Sequence, residues 1–430
     1  MKVLKITAGT GGTFYCQNCL RDGVLVRALR RRGCDVLVVP LYLPILIDAE
    51  GMAPKTPVFF GGVNVYLQQQ LGLFRKTPRW IDRLFDSPWV LRQAAAREGS
   101  TSAAELGPMT YSMLQGREGR QRKELERLLE WLIEQEKPDI VHMSNALLLG
   151  VAKEVKSALK VPIVCSLQDE DTWLDAMTPN WRDYCWEILA ERAREVDAFV
   201  AVSKWYADRM ISRLKIPAER VSVIPLGVEL EETEPSPVER GPLAIGYLSR
   251  ICGSLGFDQL VDAFIRLKRV PGLYDLRLRA TGGVTSGDQR FLQTIKRRLA
   301  DAACEDSVDI VPDFTKTSRK DFLRTVSVLS VPAPQGEAFG LFVLEAGGCG
   351  VPVVQPDTGA FREVVEMTGG GLVYDPKDPD GLFENLKKLL LDPELAKSLG
   401  EMARSTVRAQ YTGDAMAEKM DAVYKALETR

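Results

Sequence analysis

The sequence predicts an α/β protein: two Rossmann-like, doubly wound parallel-sheet domains in tandem, with a helical insertion in the first. Three observations carry this. Short β-branched apolar runs alternate with amphipathic helical patterns along most of the 430 residues, as expected of βαβ units. An acidic, proline-rich stretch, EETEPSPVERGP, interrupts the alternation, after which the cycle restarts. Glycines follow the first apolar run at once, in KVLKITAGTGGTFYCQNCLRD, where such a domain turns from strand to helix.

Taken in order, KVLKITA reads as a strand and CLRDGVLVRALRRRG as a helix. The helix carries Leu20, Val24, Leu25, Ala28 and Leu29 on one face and stops at Gly33. DVLVVP is the next strand. Residues 55–120 break the rhythm; their aromatics Trp80, Phe85 and Trp89 suit packing of an inserted helical subdomain. KPDIVHM, VPIVCSL, DAFVAVS and RVSVIPLGV supply further strands. Beyond the acidic stretch come LAIGYLS, DLRLRATGG, SVDIVPDF, VLSVPAP and VPVVQPD, each separated from the next by a helical pattern. The expected organisation is residues 1–236, residues 237–410, and a helix over 411–430 packing back toward the first domain. Ligands of such sheets sit beyond the carboxyl ends of the strands, so a cleft between two facing domains is the expected site.

Composition narrows the function. Lys and Arg total 56 against 58 Asp and Glu, a net charge of −2, which gives no general attraction to nucleic acid or to an anionic membrane. The longest apolar run, Val36 to Ile47, holds two prolines and is too short to span a bilayer. No signal-peptide pattern opens the chain. A cytoplasmic protein with at most peripheral membrane contact is expected. The eight cysteines are dispersed and read mostly as buried thiols. Cys16 and Cys19 could form a redox pair or half a metal site. No second Cys-x-x-Cys exists, and the single histidine, His142, is distant in sequence. The preferred reading is therefore a phosphate cradle made by Gly11 and Gly12, with the cysteines lining the helix start. No metal site is expected. His142 itself reads as a satisfied interior histidine.

The most informative stretch is QGEAFGLFVLEAGGCGVPVVQPDTGAFREVV, residues 335–365. Gly340 opens a helix there, and a helix amino end offers free N–H groups to an anion. Glu337 lies in the loop before it. Glu345 follows Leu341 by four residues, on the same face and roughly 6 Å further along. Two carboxylates flanking a phosphate cradle suit a ligand with hydroxyls on both sides of a diphosphate, which is the layout of a nucleotide sugar.

E-A-F-G-L-x-x-x-E-A, then G-V-P-V-V and G-x-x-R-E-V-V, resembles the donor motif of the family-4 retaining glycosyltransferases of GT-B fold. AGTGGT, PDIVH, AVS at 201–203, IPLGVE at 224–229 and RATGG fall in that family's order. The resemblance implies that Glu337 holds sugar hydroxyls and acts catalytically. It implies that Phe339, Gly340, Leu341 and Phe342 hold sugar and diphosphate through their backbone, and that Glu345 holds the ribose. Gly11 and Gly12 would face the diphosphate, and Val311 and Phe314 stand where the family places the base. Three positions depart from the pattern. Tyr247 and Leu255 replace the Arg and Lys that clamp the diphosphate, leaving Arg250 as the nearest substitute or else a surface ion-pair partner. Gln168 replaces a histidine before Asp169; Gln can donate to a sugar hydroxyl but cannot act as a general base. Asp169, Glu170 and Asp171 either cap the next helix or polarise the acceptor hydroxyl.

The function this implies is transfer of a sugar, with retention, from a nucleotide-diphosphate sugar as donor substrate, with no bound cofactor. The acceptor would be a sugar, a lipid-linked sugar or a small molecule; no nucleic acid partner is expected. The alternatives are a degenerate nucleotide-sugar-binding protein and a sugar-nucleotide epimerase of the same architecture.

Overall fold

A computed structural model describes residues 1–9, 14–42, 59–60, 69, 103–230, 242–311 and 318–428. Gly11, Gly12, Phe314, the acidic linker and the aromatics Trp80, Phe85 and Trp89 lie outside the described residues. Of the expected insertion, the described part includes the helix Ala103–Leu114. The chain divides into two compact units.

The first unit comprises Met1–Gly12, Asn18–Pro225 and Met416–Arg430. Its described strands are β1 (Lys2–Thr7), β2 (Asp35–Pro40), β3 (Ile140–Met143), β4 (Ile163–Leu167), β5 (Ala198–Ala201) and β6 (Val221–Val223). They pair in parallel in the order β2-β1-β3-β4-β5-β6. Helices cover the faces of such a sheet, so its strands are continuous apolar runs rather than alternating ones. In β1, five consecutive residues after Lys2 are buried. The helix Gln17–Arg31 buries Leu20, Val24, Leu25, Ala28 and Leu29. Gly33, with φ of 85°, turns the chain into β2. The core formed by β1 to β5 and this helix also takes Met416, Ala417, Met420, Tyr424 and Leu427. These residues recur at helical spacing along Gly413–Glu428.

Two groups of buried polar residues stand in this core. His142 is fully buried; its Nδ1 lies 2.6 Å from the Tyr424 hydroxyl and its Nε2 lies 2.8 Å from Ser166 Oγ. Burial, with Lys5 and Arg21 nearby, holds the imidazole well below its usual pKa and therefore neutral. Beside it Asp22 receives Lys5 Nζ at 3.0 Å and Arg21 Nη2 at 2.6 Å. Thr7 Oγ1 donates to the second Asp22 oxygen at 3.3 Å. Burial pushes the Asp22 carboxyl up, but the two cations outweigh it and hold it below the usual carboxylate range. Burial lowers the Lys5 ammonium to about 8. The cluster ties β1 to the first helix just past the strand-to-helix turn.

The second unit comprises Thr13–Gln17 and Leu226–Ala415. Its described strands are β7 (Ala244–Leu248), β8 (Arg277–Thr281), β9 (Val308–Val311), β10 (Val328–Leu329), β11 (Val353–Pro356) and β12 (Gly371–Tyr374). The order β12-β11-β10-β7-β8-β9 is all parallel. Chain direction across the sheet reverses between β7 and β10. That switch point, at the carboxyl ends of the strands, is where doubly wound sheets bind ligands.

The Asp22 cluster is costly to disturb. Replacing Asp22 by Asn leaves two adjacent buried cations without their counter-charge, a change that costs about 3–5 kcal/mol. Urea denaturation of the Asp22→Asn variant is expected to show that loss as a lowered midpoint with an unchanged slope.

Candidate functional site

In the second unit the loop after β10 and the helix Leu341–Gly348 stand at the switch point. Gly340 is the residue before the helix, with φ of 94°. A Cβ there would lie 2.9 Å from the ring of Phe361. The helix can begin at this place only because residue 340 has no side chain. The loop carrying Glu337 is held in the same way. Gly336 and Gly359 have φ of 70° and 58°, and each would drive a Cβ into the other loop's backbone, within 2.3 to 2.6 Å. Ala360 N donates to Glu337 O at 3.0 Å across this contact. Phe339, Leu341 and Phe342 are buried and anchor the turn in the core of the unit. Glu337, Gly340 and Glu345 thus sit around one rigid turn.

The amino end of this helix has a partner. Leu341 N donates to Gln17 Oε1 at 2.6 Å. Glu345 is also engaged: Tyr15 OH donates to its Oε2 at 2.7 Å, and Arg319 Nε donates to its Oε1 at 2.7 Å. Tyr15 is anchored through its own N–H, which donates to Gly282 O at 2.7 Å. Burial and the adjacent Glu345 carboxylate push the Tyr15 phenol well above its usual pKa, so it stays a donor. Tyr15, Gln17 and Arg319 were not singled out from the sequence. Arg319 left a signal: it opens the helix Arg319–Arg324, and a cation in a first turn opposes the helix dipole. Such a residue is there for a tertiary partner.

Tyr247 and Leu255, at the family's cation positions, carry no charge to the site. Tyr247 is fully buried in β7, packed edge-on against Phe257 at 4.8 Å, and donates to Arg250 O at 2.9 Å. The Arg250 guanidinium lies 3.8 Å from Asp288, which itself closes the turn begun by Thr285. Val311 ends β9, and its carbonyl lies 3.4 Å from Thr281 Oγ1.

In the first unit the end of β4 holds the other expected residues. Gln168 is buried and turned inward, with Nε2 3.3 Å from Ser144 O. Asp169 has φ of 58° and stands before the helix Glu170–Leu174 without forming a side-chain cap bond. A non-glycine residue held in the left-handed region stores strain that its surroundings must sustain. Asp171 is taken by Arg209 at 2.6 Å and by the Tyr206 hydroxyl at 3.0 Å. Glu170 is the fixing point. It accepts from Ala146 N at 2.8 Å, from Gln168 N at 2.7 Å and from Tyr206 OH at 2.7 Å. It thereby joins the ends of β3 and β4, a role the run of three acidic residues did not distinguish. Burial raises its carboxyl to about 7 despite these donors.

The cysteines differ from the expectation at one place. Cys16 and Cys19 are disulfide-bonded, whereas the other six are free. Among the described residues no helix is long and apolar enough to cross a membrane.

With this geometry in place, comparison defines the class. A model of "Glycosyltransferase Family 4" matches residues 60–232 and one of "Glycosyl transferases group 1" matches residues 230–406. The chain belongs to the family-4 retaining glycosyltransferases, with the GT-B fold of two Rossmann-like domains. It is 27% identical over 249 residues to the GDP-mannose-dependent alpha-(1-6)-phosphatidylinositol monomannoside mannosyltransferase of Mycobacterium tuberculosis, covering 54% of this chain but only 63% of that relative. It is 24% identical to a D-inositol 3-phosphate glycosyltransferase of Pseudarthrobacter chlorophenolicus, over 82% of this chain and 87% of the relative. The Anabaena Alr3699/HepE structure in complex with UDP and glucose shares the fold, with a TM-score of 0.70 at 16% identity over 99% of this chain and 100% of that one.

Two measurements test this geometry. Gly340→Ala forces a side chain into the left-handed region and against Phe361, and should cost about 1–3 kcal/mol in urea unfolding. Glu170 sets a pH dependence. Between about 4.5 and about 7 the folded carboxyl keeps its proton while the unfolded one loses it, so stability falls as pH rises, by on the order of 3 kcal/mol in all. Thermal melts from pH 5 to pH 8 should show this fall, with a flatter slope for Glu170→Gln.

Proposed function

We propose that the protein moves a sugar from a nucleotide-diphosphate sugar to an acceptor hydroxyl with retention of configuration. One observation carries the reading. The two groups expected to grip the donor already hold its chemical equivalents from the protein itself. An acceptor oxygen, Gln17 Oε1, sits on the Leu341 N–H, where a phosphate oxygen would sit. A hydroxyl, Tyr15 OH, donates to Glu345, as a ribose hydroxyl would. A site that takes an oxygen acceptor at a helix tip and a hydroxyl at the carboxylate one turn on is built for a phosphorylated ribose.

In this mechanism the bond from the sugar's anomeric carbon to the diphosphate oxygen breaks. The acceptor oxygen then bonds to that carbon on the same face, and the acceptor's proton passes to the departing phosphate. The negative charge that builds on the diphosphate is met at the amino end of the helix by the Leu341 N–H, once Gln17 Oε1 has given up its place there. Glu337 orients the sugar hydroxyls from the loop, and Asp169 polarises the acceptor hydroxyl. The names of the relatives carry GDP-mannose with a phosphatidylinositol monomannoside in one case and inositol 3-phosphate in another. A polyhydroxylated acceptor, a sugar or a lipid-linked sugar, is the class these names favour.

A thermal-shift and calorimetric screen of GDP, UDP, ADP and their hexose conjugates tests the reading. At a hundredfold excess over Kd, a true ligand should add about 2.7 kcal/mol of stability. Glu345→Ala removes a charged acceptor and should weaken every nucleoside diphosphate about tenfold or more. Glu337→Ala should weaken the sugar conjugates while leaving the bare diphosphates unchanged. If both variants bind all ligands as the parent does, these two carboxylates do not form the donor site.

A further inference from the structure

Two residues that flank a disulfide-bonded cysteine meet the proposed donor site. Tyr15 donates to Glu345, Gln17 accepts from Leu341 N, and Cys16 between them is joined to Cys19. Arg319 takes the other Glu345 oxygen. The groups that the proposed function assigns to ribose and phosphate are therefore engaged by the chain itself. A donor that needs the Leu341 N–H and the Glu345 Oε2 must displace Gln17 and Tyr15 first.

The arm is held at both ends. Tyr15 N donates to Gly282 O at 2.7 Å. The Cys16–Cys19 bond closes a short ring over the first turn of the helix Gln17–Arg31. Such a ring removes backbone freedom from the residues it spans, so the two flanking side chains reach their partners with little further loss of conformational entropy. Cys16 and Cys19 are half-buried, which leaves them open to a small thiol. Among the free cysteines, Cys34, Cys165, Cys185, Cys252 and Cys304 are buried.

We propose that residues 15–17 form a disulfide-braced internal plug that competes with the donor, and that reducing Cys16–Cys19 raises donor affinity. This rests on the donor-site assignment made above. The chemistry is ordinary thiol–disulfide exchange with a dithiol reductant. One reductant thiolate attacks a cysteine sulfur and breaks the S–S bond. Its second thiol then displaces the mixed disulfide. Two electrons pass to the protein, which gains two thiols, and the reductant leaves as a cyclic disulfide.

The test is calorimetric titration of GDP and UDP into the intact protein, oxidised and after mild dithiothreitol treatment. Alkylation and mass measurement confirm that two additional cysteines have become reactive. The reduced protein should bind on the order of tenfold more tightly, the shift expected when a competing state loses most of its population. Gln17→Ala and Tyr15→Phe should tighten binding in the oxidised protein, and Cys16→Ser/Cys19→Ser should bind as the reduced form does and ignore dithiothreitol. The wild-type comparison needs no variant, so a misfolded mutant does not stall the test. Equal affinity in both states overturns the plug and leaves the donor site standing. Weaker binding after reduction also overturns it, because the arm would then be part of the binding surface. If neither of these nucleotides nor ADP binds in either state, the donor-site reading and the plug fall together.

Discussion

The geometry around the candidate site of the second unit follows from a left-handed turn at Gly340. The backbone can take that turn because nothing projects from residue 340 toward Phe361. The turn puts Leu341 at the first position of a helix, where its N–H, with a partial positive charge behind it, donates to Gln17. It also sets the phase of the helix, and with it the placement of Glu345 one turn on. The interlocked glycines at 336 and 359 then hold the Glu337 loop against the next strand-end loop. Three features that look independent in the sequence, a glycine, a carboxylate before it and a carboxylate after it, are fixed by one backbone geometry.

The first unit solves a different problem. It buries charge near the strand ends and surrounds it with counter-charges or hydrogen-bond donors. Lys5 and Arg21 share the single carboxylate of Asp22 between β1 and the first helix, and Glu170 gathers donors from the ends of β3 and β4. Paired interior charges add little net stability, but removing one partner is costly. They make the positions of nearby backbone hard to vary. The strained backbone at Asp169 is sustained by this neighbourhood: Glu170 beside it is clamped through both carboxylate oxygens.

The fold was legible because its signals are periodic and repeated. Buried parallel strands are apolar without interruption, and the helix faces recur at 3.6 residues. The Glu337, Gly340 and Glu345 constellation was legible for a similar reason, since its members lie within one turn and one short helix. Tyr15, Gln17, Arg319 and Tyr206 were not. Each acts on a partner far along the chain, and neither spacing nor composition records such a meeting. Gln168 shows the converse limit. Its residue type was read as a sugar contact, but its side chain turns to Ser144. Direction depends on what packs around a strand end, which local pattern does not encode. The disulfide corresponds to the redox pair that the sequence left as an alternative, because a Cys-x-x-Cys pair is equally compatible with thiols lining a helix.

The composition of the first unit bears on how the chain is made. Met416–Arg430 belongs to that unit, and Tyr424 closes the hydrogen bonding of His142 deep inside it. A ribosome therefore finishes the whole second unit before it releases the residues that complete the first. Until then the nascent first sheet carries an uncovered apolar groove and an imidazole lacking one of its two partners. That window is the one in which chaperone binding or misassembly would act on this chain.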